Sequence, residues 1–304
     1  MTDVIIVGAG PAGLSAAIYT QRSGKSALVL EAATYGGQII NTPDIANYPG
    51  LAHVSGVEFA TNLYQQAKDL GAEVKFQRVL EIQDLGDRKV VRTKKEEYVC
   101  RAVILATGAK NRPLGLENEQ SLIGKGISYC ATCDGMFFRN REVAVNGGGN
   151  TALEDALFLS NYCSKVTVIH RREGFRGSEE SLSRLREREN VSFILNATVS
   201  GLRSDEKGLH AVEIRDKQTG ETRELPVDGL FVAIGQEPDN GAFRELVSLD
   251  PQGYIVADES CETGTGGIFT AGDCRTKKVR QLTTAAADGA VAALAACEYI
   301  DRQG

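Results

Sequence analysis

The sequence predicts an α/β protein made of two three-layer units of the same build, the second inserted into the first. Three observations carry this prediction. An apolar strand at 4–7 runs into Gly8, Gly10 and Gly13, spaced G-x-G-x-x-G, and on into a helical pattern. The arrangement recurs 139 residues later, where a strand at 142–146 runs into Gly147-Gly148-Gly149 with the spacing G-x-G-x-x-A. In both copies another short apolar strand ends 23 residues after the first glycine, at Glu31 and at His170. One such motif is weak evidence. Two in the same strand–turn–helix context are an internal duplication of a Rossmann-like unit.

The chain has 304 residues, which suits two domains of ordinary size. With 42% apolar and 24% charged residues it has a globular composition. No apolar run approaches the ~20 residues of a membrane helix. The N-terminus enters a strand at once and has no basic n-region or separate apolar h-region. A secretory leader is therefore not expected, and the expected compartment is cytoplasmic. A net charge of −6 argues against a nucleic-acid surface. Of seven cysteines, only Cys130 and Cys133 are closely spaced, which excludes a secreted disulfide scaffold. The lone cysteines read as small packing residues. Lys94-Lys95-Glu96-Glu97 reads as a solvated hairpin or edge.

The elements follow in order. In the first turn, one glycine allows the bend, the next lets a pyrophosphate approach the backbone, and the third lets helix and strand pack. The strand at 27–31 ends in Glu31, where a carboxylate takes a ribose diol. Strands at 102–106 and 229–234 end in Gly108 and Gly235, and each is followed by a proline, Pro113 or Pro238. They read as the last strand of each unit and the exit to its partner. The expected domains are 1–112, 113–240 and 241–304, the outer two forming one domain.

In the second copy the strand at 165–169 ends in His170-Arg171-Arg172, with Arg176 nearby. Glu31 would repel a 2′-phosphate, whereas arginines pair with one through charge-assisted hydrogen bonds. The first copy is thus expected to bind an adenine dinucleotide with a free 2′-hydroxyl, and the second NADPH. The alternative for the arginines is a solvated helix start. A strand at 267–271 then ends in Gly272-Asp273. An alanine-rich helix pattern up to Ala296 follows, able to pack closely against a flat surface.

Cys130-Ala131-Thr132-Cys133-Asp134 lies about a dozen residues before the second glycine turn's strand. A CxxC pair beside a nucleotide loop can accept two electrons as a dithiol and pass them on by thiolate attack. Zinc is the alternative, but it needs about four ligands, and no second Cys/His pair exists. An acid–base group is also required. His53, His170 and His210 are poorly placed in the sequence, so Asp134 is the better candidate, given burial enough to hold its proton. A cap or turn role for Asp134-Gly135 stays open.

Together these motifs, with Gly36-Gly37-Gln38, Ala106-Thr107-Gly108, Phe175-Arg176 and Ala271-Gly272-Asp273…Arg280-Gln281, resemble the bacterial low-molecular-weight thioredoxin reductases over essentially the whole chain. The resemblance implies FAD in the first unit, NADPH in the second, a homodimer and a thioredoxin substrate. It assigns Gly8, Gly10, Pro11, Ala12 and Gly13 to the FAD pyrophosphate and Glu31 to its adenosine ribose. Gly36, Gly37, Gln38, Asn47, Val79, Thr107 and Gly108 complete the FAD contacts. Gly272 and Asp273 take the ribityl-phosphate region, and Arg280 and Gln281 flank the isoalloxazine. NADPH falls to Gly147, Gly149, Asn150, Thr151, His170, Arg171, Arg172, Arg176, Ile234 and Gly235. Electrons are implied to pass from NADPH to FAD, to the Cys130–Cys133 disulfide and then to thioredoxin. Cys133 faces the flavin and Cys130 attacks the partner.

The pattern has two departures: Asn146 stands where an apolar residue is usual, and Gly177 where alanine is common. Linkers near 111–115 and 236–241 are expected to let the second unit rotate. Rival readings are a reductase of the same build serving a glutaredoxin-like or peroxiredoxin partner, one drawing on ferredoxin, and a flavin redox sensor without turnover.

Overall fold

The structure is a computed structural model that describes residues 1–303. They divide into two compact units, 1–110 with 237–303 and 111–236.

In unit 1, β1 (Thr2–Val7), α1 (Pro11–Arg22) and β2 (Ala27–Glu31) form the first glycine-turn unit. Next come α2 (Gly56–Asp69), β3 (Glu73–Phe76), β4 (Val79–Asp84), β5 (Lys89–Thr93) and β6 (Glu97–Leu105). β3, β2, β1 and β6 lie side by side in that order and run parallel. Side chains alternate across the sheet as the period of two demands. Val4 and Ile6 pack against Leu14 and Ala17 of α1, while Ile5 and Val7 pack against Val79 and Val91 of the β4–β5 hairpin. One face is therefore covered by helices and the other by β-structure. Residues 94–96 form the turn between antiparallel β5 and β6, where the mixed charges stay in water.

β7 (Ala109–Asn111) leads into unit 2. There α3 (Glu119–Leu122), β8 (Ile127–Ser128) and α4 (Ala131–Asp134) precede β9 (Glu142–Gly147), α5 (Asn150–Leu159) and β10 (Lys165–Ile169). α6 (Glu179–Arg186) and β11 (Val191–Ile194) follow. β12 (Ala197–Asp205), β13 (Gly208–Asp216) and β14 (Thr222–Pro226) form an antiparallel layer. β15 (Gly229–Ala233) returns to the main sheet and β16 (Gln236–Pro238) leads out. The main sheet is parallel, ordered β11-β10-β9-β15-β8. Val143 and Val145 pack on α5 and α6, and Ala144 on the antiparallel layer, which repeats the layering of unit 1.

Unit 1 is completed by β17 (Ile268–Thr270), parallel to the second half of β6, and by α7 (Leu282–Arg302). α7 runs past the expected end at Ala296. Its small residues let it approach α1: a Cβ on Gly289 would come within 2.2 Å of the Ala12 carbonyl oxygen. The Ser15 hydroxyl donates to the Ala286 carbonyl at 2.7 Å across the same contact. The two sheets differ at the fifth position. In unit 1 it is held by β17, from the end of the chain. In unit 2 it is held by β8, which precedes the glycine-turn strand.

Candidate active site

That fifth position places the redox pair. β8 runs parallel to β15, with Ser128 in register with Phe231, so the chain leaves the sheet at its carboxyl edge as it reaches Cys130. Open α/β sheets bind their ligands at this edge, and the 147–149 turn leaves β9 there too. Cys130 and Cys133 are joined in a disulfide, with Cα atoms 5.3 Å apart. The N–H groups of Cys133 and Asp134 donate to the Cys130 carbonyl at 3.2 and 3.1 Å, so α4 is a single turn opening at Cys130. Asp134 is half-buried and its Oδ2 accepts from the Ser128 hydroxyl at 2.6 Å. Burial pushes its carboxyl above the ordinary range, and the Ser128 hydrogen bond opposes that rise. The balance favours a group able to carry a proton.

The nucleotide turn of unit 2 is tied to the basic loop. The Arg176 N–H donates to the Gly148 carbonyl at 2.8 Å, and the Ser178 N–H to Asn150 Oδ1 at 2.7 Å. Arg171, Arg172 and Arg176 are exposed, and among the described residues none of them makes an ion pair. The loop that carries them is tied at Arg176 and Ser178 to the N-terminus of α5, where Asn150 and Thr151 open the helix. A helix N-terminus with unpaired arginines fits a phosphate. His170 is placed differently from its neighbours. It is buried, its ring packs on Gly148 and stacks on Phe175 at 4.9 Å, and its Nε2 lies 3.2 Å from the Gly174 carbonyl. Burial and the three arginines hold it below its ordinary pKa, so a neutral ring shapes the turn. Ile234 and Gly235 are exposed after β15, and the Gly235 carbonyl accepts from the Arg112 N–H.

Gly177 is explained by the same packing. A Cβ there would lie 2.6 Å from Leu153 Cδ1 and 3.0 Å from the Gly149 carbonyl carbon. Leu153 is fully buried and cannot swing away. Gly177→Ala is expected to destabilise unit 2 by about 1–3 kcal/mol, the usual range for overpacking. Thermal unfolding of the variant checks it, and an unchanged midpoint would refute the crowding. Asn146 lies on β9 in register with Ile169 and Val232, half-buried. Nothing in the structure explains the amide there.

In unit 1, Pro11 and Ala12 open α1 directly after Gly10. Glu31 accepts the Ala9 N–H at Oε2 and the Ala33 N–H at Oε1, both at 2.8 Å, which fixes its carboxylate and leaves lone pairs for a diol. The Gly36 N–H donates to the Ala9 carbonyl at 2.8 Å, joining the 36–38 loop to the glycine turn. Asn47 Nδ2 lies 3.4 Å from Gln281 Oε1. Gln281 caps α7 with Thr284 in a reciprocal capping box. Arg280 donates to the carbonyls of Asp273 and Arg275 and stacks over Tyr254 at 4.1 Å. The Thr107 hydroxyl donates to Asn240 at 2.7 Å, and Gly108 follows it, half-buried. Val79 differs from the rest, since its side chain is part of the core. Asp273 carries a buried Oδ1 without a hydrogen-bond partner, and burial pushes its carboxyl up. An orphaned buried acceptor at the carboxyl end of β17 fits a hydroxyl-bearing ligand, so the residues present suit a dinucleotide.

Several residues of these sites escaped sequence reasoning. Ser128 binds Asp134. Glu119, buried, accepts the N–H groups of Leu114 and Gly115 and the Tyr129 hydroxyl at 2.8, 2.9 and 2.6 Å, anchoring the loop before Cys130. Asn240, buried, joins Thr107 to the carbonyls of Gly253 and Cys274. Asp288 accepts the Gly272 N–H at 2.9 Å from α7. No local pattern marks any of them.

The chain has known relatives in sequence and in structure. Residues 2–289 match the family model for pyridine nucleotide-disulphide oxidoreductases. The chain belongs to that family. It is 41% identical to the thioredoxin reductase of Bacillus subtilis over 98% of this chain and 95% of that one. Against the thioredoxin reductase of Treponema pallidum the identity is 43%, covering 98% and 97%. Its fold superposes on the crystal structure of thioredoxin reductase from Streptococcus pyogenes with a TM-score of 0.95, 38% identity and 99% of each chain covered. Within the family it falls in the thioredoxin reductase branch, and it is an oxidoreductase. Among the described residues no helix is long and apolar enough to cross a membrane.

Proposed function

We propose that the chain is a cytoplasmic, homodimeric thioredoxin reductase that takes electrons from NADPH, holds FAD in unit 1 and reduces the disulfide of thioredoxin. One observation carries the reading: a Cys130–Cys133 disulfide leaves the sheet of unit 2 at the edge that also carries the glycine turn. When bound, the flavin relays two electrons from the nicotinamide to that disulfide. Gly8, Gly10 and Gly13 keep the first turn open to a pyrophosphate, Glu31 takes the ribose hydroxyls and Asp273 the ribityl chain. Arg280 and Gln281 line the flavin. Gly147, Gly149, Asn150 and Thr151 receive the second pyrophosphate, and Arg171, Arg172 and Arg176 select the 2′-phosphate. Cys130 as thiolate attacks the thioredoxin disulfide. Cys133 then attacks Cys130, which releases the reduced partner and restores the starting disulfide. Asp134 carries the proton.

The test is anaerobic reduction of the flavin by NADPH and by NADH, followed by turnover with oxidised thioredoxin. Rapid reduction with NADPH but no turnover with any thioredoxin would assign the dithiol to another partner. Arg172→Ala with Arg176→Ala is expected to raise the KM for NADPH by about tenfold to a hundredfold, the loss of one or two charge-assisted bonds. The KM for NADH should stay unchanged. An equal rise for both cofactors would place the 2′-phosphate elsewhere.

A further inference from the structure

The Ser128 hydroxyl stands at the centre of the redox loop. It accepts the Cys130 N–H at 3.1 Å and lies 2.6 Å from Asp134 Oδ2 and 3.3 Å from the Cys130 carbonyl. A hydroxyl has one proton to give, and the shorter contact assigns it to the carboxylate. Ser128 is only 3% exposed and ends β8, so its position is set by the sheet rather than by the loop. We propose that Ser128 is a positioning residue for the thiol chemistry, holding the Asp134 carboxyl and the Cys130 backbone in one fixed arrangement.

The inference rests on the dithiol reading above. Reducing the Cys130–Cys133 bond with two electrons leaves two sulfurs that need two protons to become thiols. Asp134 gives one of them and becomes a carboxylate, and the other sulfur stays the thiolate that attacks the partner. The Ser128 O–H bond is stronger to that carboxylate than to the neutral acid, so it stabilises Asp134 once the proton has left. The Cys130 N–H, held on the same oxygen, keeps the sulfur's own residue in register with the carboxyl.

The remaining titratable groups nearby are few. α5 packs on α4 and carries Glu154 and Asp155; burial and Glu154 push Asp155 up to about 7. β8 and residues 135–138 carry no acid or base. Tyr129 is engaged with Glu119. The Asp134 carboxyl responds to burial and to Ser128, not to these acids.

The test uses the flavin-loaded protein labelled with 13C at the aspartate carboxyls, with the Asp134 signal identified by its loss in Asp134→Asn. In Ser128→Ala, Asp134 is expected to titrate at higher pH than in the wild type. The alkaline limb of thioredoxin turnover should move the same way, with a fall in kcat of about tenfold. Ser128→Thr, which keeps the hydroxyl, should track the wild type. In the Asp134→Asn background, Ser128→Ala should leave the pH profile unchanged. A coincident Asp134 titration in Ser128→Ala and wild type overturns the proposal, as does a profile shift that persists in Asp134→Asn. Wild-type protein inactive on thioredoxin would instead sink the functional reading, and the carboxyl titration would still decide the role of Ser128.

Discussion

Cys133→Ser is expected to lower disulfide reduction by a thousandfold or more, on the order seen when an enzyme's reacting group is removed, while NADPH still bleaches the flavin at the wild-type rate. Serine cannot form the disulfide that accepts the two electrons, and its hydroxyl is not ionised near neutral pH. Cys130 alone could form a mixed disulfide but could not resolve it. No other thiol can take over. Burial pushes Cys100 and Cys261 to about 12 and Cys163 to about 11, so each stays protonated, and none is exposed. The paired measurement is stopped-flow flavin absorbance with NADPH against steady-state thioredoxin reduction. Reduction surviving within tenfold of wild type would show that electrons leave by another route.

Asp288→Ala is expected to destabilise unit 1 by about 3–5 kcal/mol, the range for removing one partner of a buried ion pair. Arg275 is 1% exposed and gives Asp288 two hydrogen bonds at 2.9 Å, and Lys277 adds a third at 2.8 Å. Alanine would take the carboxylate away from buried Lys277, would leave Arg275 only the exposed Glu259 carboxylate at 3.6 Å, and would also release the Gly272 N–H beside Asp273. FAD retention should fall along with stability. Burial alone would raise the Asp288 carboxyl, but Arg275 and Lys277 outweigh it and hold it below its ordinary value. A depressed carboxylate contributes stability at neutral pH that is lost as acid brings the pH down toward its folded pKa. The variant should therefore lose the part of the wild type's acid sensitivity that comes from this group. Chemical denaturation at neutral and acid pH measures both effects. A change under 1 kcal/mol at neutral pH would mean the cluster is not the strut described.

Much of the candidate site is legible in the sequence. The glycine turns, Glu31, the arginine run and the CxxC pair are all local: each lies within a strand, its turn and the next helix. Their spacing follows from backbone geometry, so it survives in the sequence. His170 and Val79 are instructive exceptions. His170 ends a motif strand and Val79 is a contact that only the family resemblance implies, yet both side chains pack inward, because burial depends on neighbours that local sequence does not contain. Gly177 departs from the family pattern, and what a side chain there would meet, Leu153 and Gly149, comes from packing that the pattern does not carry.

By itself, then, the sequence determined the duplicated α/β architecture, the two glycine turns and the cysteine pair, because each is encoded in a short stretch of backbone-dictated spacing. Only the tertiary structure decided how these pieces are held. β8 takes the fifth place in the sheet of unit 2 by pairing with β15, a strand far along the chain, and so brings the cysteines to the carboxyl edge. Ser128 meets Asp134, Glu119 meets Tyr129 and Asp288 meets Arg275 through side chains whose partners carry no spacing rule. Such contacts form once the sheets have paired and buried their polar groups, since a buried donor or acceptor must then find a partner.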